Sequence, residues 1–120
     1  MMLRNCSIFI AEDDYRLASD LRDAFVKVGA NVIHPCDTIE DTLDVIMSSS
    51  SIDGAVLSVN LQGEATFAAA EHLVRRQIPF VFLTCLNSSD CPDSLKGIDR
   101  FEKSVDIGYL IEVMGSLMSA

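Results

Sequence analysis

Side chains that could take part in phosphoryl chemistry stand at the ends of apolar runs in this chain of 120 residues. An acidic run, Glu12-Asp13-Asp14, follows the first apolar run directly, and Ser58 and Thr84 end two later ones. Adjacent carboxylates at a strand end can hold a divalent cation, which offsets the charge of phosphoryl oxygens. An acidic pair alone is more often a solvated helix start, so the interpretation depends on the whole set.

Five short apolar runs alternate with longer stretches, most of which have helical periodicity. The runs predict strands at residues 7–11, 31–34, 54–59, 79–84 and 99–102. Strands that are apolar throughout are buried on both faces, and their alternation with amphipathic helices predicts a parallel sheet with right-handed crossovers. Ligands of such sheets bind at the carboxyl ends of the strands, where the acidic run, Ser58 and Thr84 all lie.

Helices are predicted between these strands from apolar spacing and from capping residues. The first covers residues 15–28 and the third covers residues 64–77, with Phe67, Ala70, Leu73 and Val74 facing inward. A capping box of Asp37 and Glu40 begins the second helix, and Ser104 is the expected N-cap of the last. Residues 48–51 predict a loop, and residues 86–98 predict a loop or at most one helical turn starting at Pro92.

Composition limits the function classes. The 9 basic and 18 acidic residues give a net charge of −9, which repels nucleic acid and anionic lipid, so we expect neither partner. No apolar run approaches the 18 or so residues of a membrane span, and the start of the chain lacks the apolar segment of a signal peptide. The four cysteines form no CxxC pair and are expected to be reduced thiols of a cytoplasmic protein. We expect one domain over residues 1–120.

In their order and distances, the acidic pair, Ser58, Thr84 and Lys103 resemble the receiver domain of two-component response regulators. The resemblance covers nearly the whole chain. It implies a flavodoxin-like, three-layer α/β sandwich with a five-stranded parallel sheet in the order 2-1-3-4-5. The run PFVFLT at residues 79–84 is similar to a PFxFxTG-type signature of a subgroup in which the fourth of the five family helices is reduced.

The resemblance also implies roles for individual residues. Mg²⁺ would be held by two carboxylates and a backbone carbonyl, and the phosphoryl oxygens would be contacted by a hydroxyl and an ammonium. These residues are Glu12, Asp13 and Asn60 for the metal, and Thr84 and Lys103 for the phosphoryl group. Arg100 stands at the switch position, three before the lysine, where the family commonly has an aromatic residue.

The main departure from the family is Ser58, which occupies the position of the phosphoacceptor aspartate. A serine hydroxyl cannot replace a carboxylate in acyl-phosphate formation, so we expect weak or absent Mg²⁺ binding and no phosphorylation there. Cys85 and Ser104 also replace the small residue after the threonine and the proline after the lysine. We expect a receiver-like module, not an enzyme and without a catalytic residue, that acts in a phosphorelay through protein–protein interaction.

The expected partner is a histidine kinase or another two-component protein, and a homodimer stays open. The alternative is a phosphorylatable receiver in which Ser58 is an engineered or unusual replacement of the acceptor aspartate. A third class, a flavodoxin-like nucleotide-binding or hydrolase domain, has no support from a glycine-rich phosphate loop or a Ser-His-Asp order.

Overall fold

Strands and helices alternate along the chain within residues 3–84 and 91–119, which the computed structural model describes. The strands in these residues are β1 (Ser7–Ala11), β2 (Asn31–Cys36), β3 (Gly54–Ser58), β4 (Asn60–Leu61), β5 (Glu64–Ala65), β6 (Phe80–Thr84) and β7 (Arg100–Glu102). The α-helices there are α1 (Tyr15–Lys27), α2 (Ile39–Ser48), α3 (Phe67–Arg75) and α4 (Ile107–Met118), and Asp93–Leu95 forms a 3₁₀ turn. Among the described residues, no helix has the length and apolar character that crossing a membrane requires.

Five of the strands form one parallel sheet in the order β2-β1-β3-β6-β7. This confirms the predicted α/β fold and the predicted order 2-1-3-4-5. All five residues of β3 are buried, since helices cover both faces of the sheet. Neighbouring residues of β1 enter different cores: Phe9 packs with α2 and α3, whereas Ile8 and Ile10 pack with α1 and α4.

The helix starts differ from the prediction at two caps. Thr38, not Asp37, caps α2, because its Oγ1 accepts the N–H three residues on at 3.2 Å. Asp106, not Ser104, caps α4, and its Oδ1 accepts the N–H two residues on at 3.1 Å. Asp14 caps α1, since its Oδ1 accepts the backbone N–H groups two and three residues on at 3.0 Å and 3.2 Å. In each case the side-chain oxygen pairs with a backbone donor that the helix itself leaves unpaired.

The third helix is shorter than predicted, because the segment before it forms a hairpin. β4 and β5 pair in antiparallel fashion, with Asn60 opposite Ala65, and α3 begins only at Phe67. Val74, predicted to face inward, is 44% exposed, and Ala69 is buried instead. The hairpin therefore takes the residues that the apolar spacing assigned to the first turn of the helix.

The segment before β7 has little helix, as predicted, over the part that the structure describes. In residues 91–98 only the 3₁₀ turn forms, directly after Pro92, and its Leu95 is fully buried. Residues 86–90 of the predicted loop, and Cys85, lie outside the described residues. The second strand runs on through Pro35 to Cys36, past its predicted end at His34.

Candidate functional site

Four neighbouring strands bring the predicted site residues to one edge of the sheet. Glu12 follows β1, Ser58 ends β3, Thr84 ends β6 and Lys103 follows β7. The parallel register keeps these ends level, because Ser58 lies opposite Leu83 and the last residue of β6 lies opposite the last residue of β7. The carboxyl edge of the sheet is therefore the candidate site.

The centre of the site is an ion pair between Lys103 and the acidic pair, Glu12 and Asp13. Lys103 Nζ lies 2.9 Å from Glu12 Oε2 and 3.4 Å from Asp13 Oδ1. The Lys103 backbone is held by its N–H, which donates to the Thr84 carbonyl oxygen at 3.1 Å. The Asp14 N–H donates to Glu12 Oε2 at 2.8 Å. One ammonium therefore faces both carboxylates.

Burial differs sharply between the two carboxylates. The Glu12 side chain is 0% exposed, whereas those of Asp13 and Lys103 are each 25% exposed. Glu12 Oε1 is buried without a hydrogen-bond partner among the described residues. A buried carboxylate oxygen without a hydrogen-bond partner destabilises the fold unless water, a cation or a proton binds it.

The electrostatics follow from this arrangement. Burial raises the pKa of Glu12, although the hydrogen bonds from Lys103 and from the Asp14 N–H oppose the rise. For Asp13, burial alone would raise the pKa, but the Gln62 N–H, Glu12 and the Lys103 charge together lower it. For Lys103, burial alone would lower the pKa, because it disfavours the charged ammonium. The hydrogen bonds and charges of the two carboxylates, Glu12 first, outweigh burial and raise this pKa. The ammonium therefore stays protonated beside at least one carboxylate.

Ser58 is 1% exposed, and its hydroxyl donates to the Asn60 carbonyl oxygen at 2.9 Å. This is the carbonyl that the family resemblance implies as a metal ligand. A carbonyl oxygen is not a base that could take the hydroxyl proton and activate serine as a nucleophile. The contact therefore satisfies the buried hydroxyl without preparing it for chemistry.

The two remaining predicted positions lie at the rim. Thr84 is half-buried at the end of β6, where its carbonyl oxygen accepts the backbone N–H of Lys103. Arg100 is exposed at the start of β7 and lies opposite Phe82 of β6. The aromatic contact near this strand comes from the next residue, since Phe101 packs edge-on against Tyr109 with ring centroids 5.9 Å apart.

Sequence reasoning missed two residues that hold the site together. The Gln62 backbone N–H donates to Asp13 Oδ2 at 2.7 Å. Thr66 is fully buried, and its Oγ1 lies 2.6 Å from the Ser58 carbonyl oxygen. Gly63 is typical of a turn and could have indicated the contact between Gln62 and Asp13. Nothing in the sequence pattern indicates the contact between Thr66 and the Ser58 carbonyl.

The donor set suits a hard divalent cation only in part. Two carboxylates and the Asn60 carbonyl are oxygen donors, which Mg²⁺ prefers, and Glu12 Oε1 is still unpartnered in the described part of the chain. No group of three or more histidine, cysteine, aspartate or glutamate side chains gathers within those residues in a way that could hold a metal. The Lys103 ammonium also already neutralises part of the charge of the two carboxylates, which weakens their attraction for a cation.

Comparison with known proteins finds likeness in structure and not in sequence. No protein-family model matches the chain, and no curated protein matches it. The receiver domain of a Francisella response regulator superposes with a TM-score of 0.79 at 21% identity, covering 96% of this chain and 98% of that one. A response regulator receiver protein from Sinorhizobium medicae gives 0.80 at 21% identity, covering 98% of each chain.

A third similar structure, a response regulator receiver domain protein from Methanospirillum hungatei, gives a TM-score of 0.75 at 18% identity, covering 95% of this chain and 98% of that one. These matches span nearly the full length of each chain. Sequence identities this low establish that the fold is shared but do not establish a shared activity. The chain therefore has the fold of the response regulator receiver domain.

Proposed function

We propose that this domain is a receiver-like signalling module of a two-component system that acts through protein–protein interaction and is not phosphorylated at the usual position. The observation that carries the proposal is the state of Ser58, which is buried at the acceptor position with its hydroxyl donated to the Asn60 carbonyl oxygen. A phosphohistidine transfers its phosphoryl group to a carboxylate in this fold, and Ser58 offers neither a carboxylate nor an activated hydroxyl.

The charge balance of the site supports the same conclusion. Lys103 lies within ion-pair distance of both Glu12 and Asp13, so the site has its own counter-ion. Charges held this way in a partly buried site interact more strongly than they would in water. The ammonium therefore offsets part of the negative charge of the acidic pair from within the chain, which supports a role that does not depend on phosphorylation.

Mg²⁺ binding in this proposal is weak. Glu12, Asp13 and the Asn60 carbonyl would hold the ion, which when bound would offset the charge of nearby anionic oxygens. Lys103 already pairs with both carboxylates and would compete with the ion for their charge, and the neutral Ser58 adds no negative charge to attract the ion. We therefore assign no enzymatic role to the site.

The proposed partner is a histidine kinase or another two-component protein, which the domain would bind without being phosphorylated. Free thiols at Cys6 and Cys91 fit the reducing environment of the cytoplasm, where we place this interaction. The excess of acidic residues argues against nucleic acid as the partner.

Intact-mass spectrometry after incubation with acetyl phosphate and Mg²⁺ tests the proposal. We expect no mass gain of one phosphoryl group, while a receiver domain with an acceptor aspartate gains one under the same conditions. A gain that peptide mapping places on Ser58 would instead establish the phosphorylatable alternative. In a second experiment, this protein is added to a histidine kinase and that kinase's cognate receiver, and it should slow phosphotransfer between them. Failure of the protein to bind any of a panel of kinase dimerisation domains would contradict the interaction role.

A further inference from the structure

The hairpin of residues 60–65, named here the hairpin clasp, reaches across the carboxyl edge of the sheet. Its tip is Gln62 and Gly63, whose φ angles of 51° and 85° are both positive, as in a type I′ turn. The Gln62 backbone N–H donates to Asp13 Oδ2 at 2.7 Å, and its side-chain Nε2 donates to the Asp37 carbonyl oxygen at 3.0 Å. One residue therefore joins the loops that follow β1 and β2.

The base of the hairpin clasp is held as firmly as its tip. Leu61 is 1% exposed and belongs to the core on the α2 and α3 face. Thr66 N–H donates to the Val59 carbonyl oxygen at 2.9 Å, and Thr66 Oγ1 lies within hydrogen-bonding distance of the Ser58 and Val59 carbonyls. The chain between Ser58 and α3 is thus a braced structure and not a free loop.

The hairpin clasp changes what Asp13 can offer to a cation. Asp13 Oδ1 lies 3.4 Å from Lys103 Nζ, and Asp13 Oδ2 accepts the Gln62 backbone N–H. A backbone N–H stabilises a carboxylate without cancelling its charge, so the carboxylate stays anionic while one oxygen is occupied. A cation that needs this oxygen has to displace the tip of the hairpin.

We propose that the hairpin clasp gates cation access to the acidic pair, and that Gln62 is the residue that closes it. The inference rests on the proposed assignment of Glu12 and Asp13 as the place where a divalent cation would bind. In the closed state Gln62 and Lys103 occupy both oxygens of Asp13; in the open state Oδ2 is released, and a cation can meet it beside the unpartnered Glu12 Oε1.

The turn residues make this gate adjustable. A left-handed φ is unfavourable for glutamine, whereas asparagine followed by glycine is the preferred pair of a type I′ turn. Gln62→Asn keeps the backbone donor that reaches Asp13 and should hold the turn closed. Gly63→Ala should open it, because alanine is strained at a φ of 85° although its Cβ would meet nothing within 4 Å. Gly97→Ala is the matched control, since its Cβ also meets nothing within 4 Å and its φ is not in the left-handed region.

Two measurements on the full chain test the gate. Amide hydrogen exchange at residue 62, followed by NMR, should be about fivefold faster in Gly63→Ala and slower in Gln62→Asn. Mg²⁺ titration by NMR should give about fivefold tighter binding in Gly63→Ala, weaker binding in Gln62→Asn and no change in Gly97→Ala.

Faster exchange with unchanged Mg²⁺ affinity would overturn the gate, because the clasp would then open without exposing a cation site. No Mg²⁺ binding by any variant would also overturn it, yet would leave the interaction function intact. That function fails by a different result, which is phosphoryl uptake at Ser58 in the wild-type chain.

Discussion

Replacing Lys103 by methionine tests the central ion pair, because methionine keeps an apolar stem and removes the ammonium. The Glu12 side chain is 0% exposed, so the substitution leaves a buried carboxylate whose remaining hydrogen bond in the described residues is the Asp14 N–H. Breaking a buried pair on one side costs about 3–5 kcal/mol. The Lys103 side chain is 25% exposed, so water can enter its place, and we expect a loss of about 2–3 kcal/mol at neutral pH.

The pH dependence follows from the pKa of Glu12. Burial already raises this pKa above its ordinary value of 4.5, and loss of Lys103, which opposes the rise, moves it further up. A carboxyl whose pKa is higher in the folded state stabilises the fold fully below its unfolded pKa, and that stability is lost as pH rises through the folded pKa. The deficit of Lys103→Met should therefore be largest at neutral pH and should narrow toward acid pH.

Urea denaturation followed by circular dichroism at about pH 7.5 and about pH 5 measures both effects. Lys96→Met is the control, since Lys96 pairs at 3.0 Å with Asp93 on the surface, where the two side chains are 62% and 96% exposed. That substitution should change the free energy of unfolding by less than about 0.5 kcal/mol. A Lys103→Met deficit no larger than the control, or one that widens toward acid pH, would refute the reasoning.

Three further substitutions and one chemical reaction have clear expected outcomes. Ser58→Asp buries a carboxylate where a hydroxyl now lies 1% exposed, so thermal melting without metal should show a loss of about 2 kcal/mol, and added Mg²⁺ should recover part of it. Gly54→Ala places a Cβ 2.8 Å from the side-chain ends of two α4 methionines and should cost about 1–2 kcal/mol. Gly115→Ala has only a 3.9 Å contact and should instead stabilise α4 by up to about 1 kcal/mol. Burial raises the pKa of Cys36 to about 11, so this thiol should react with maleimide far more slowly than a free thiol at neutral pH; a rate equal to that of free cysteine would contradict its burial.

The sheet was largely predictable from the sequence, because its strands are short apolar runs that can only be buried between two layers of helix. The bounds of β1 agree with the prediction to the residue, and the strand order follows the resemblance. The caps were less predictable, since Asp37 and Thr38 are adjacent and both can accept an N–H. Only the backbone geometry of the first turn decides which oxygen is within reach, and Thr38 has the extended conformation of a cap.

The site was predictable as a set of residues at one sheet edge but not as a set of contacts. Lys103 and Glu12 are 91 positions apart, so no local pattern can indicate that their side chains meet at 2.9 Å. The hairpin was missed for a different reason: each of its strands has two residues, too few for periodicity, and Gln62 is an uncommon residue for a left-handed turn. The decisive contact to Asp13 comes from a backbone N–H, which every residue except proline has.

The hydrogen bond between Ser58 and the Asn60 carbonyl has a consequence for which residues position 58 can accommodate. The Ser58 hydroxyl is satisfied by that carbonyl, so serine is accommodated at this position without a compensating change in either hydrophobic core. Aspartate at this position would set a carboxylate against that same carbonyl oxygen, and the braced hairpin would resist the rearrangement that relieves the contact. An aspartate at this position would therefore need a second change that turns the Asn60 carbonyl away, whereas serine needs none.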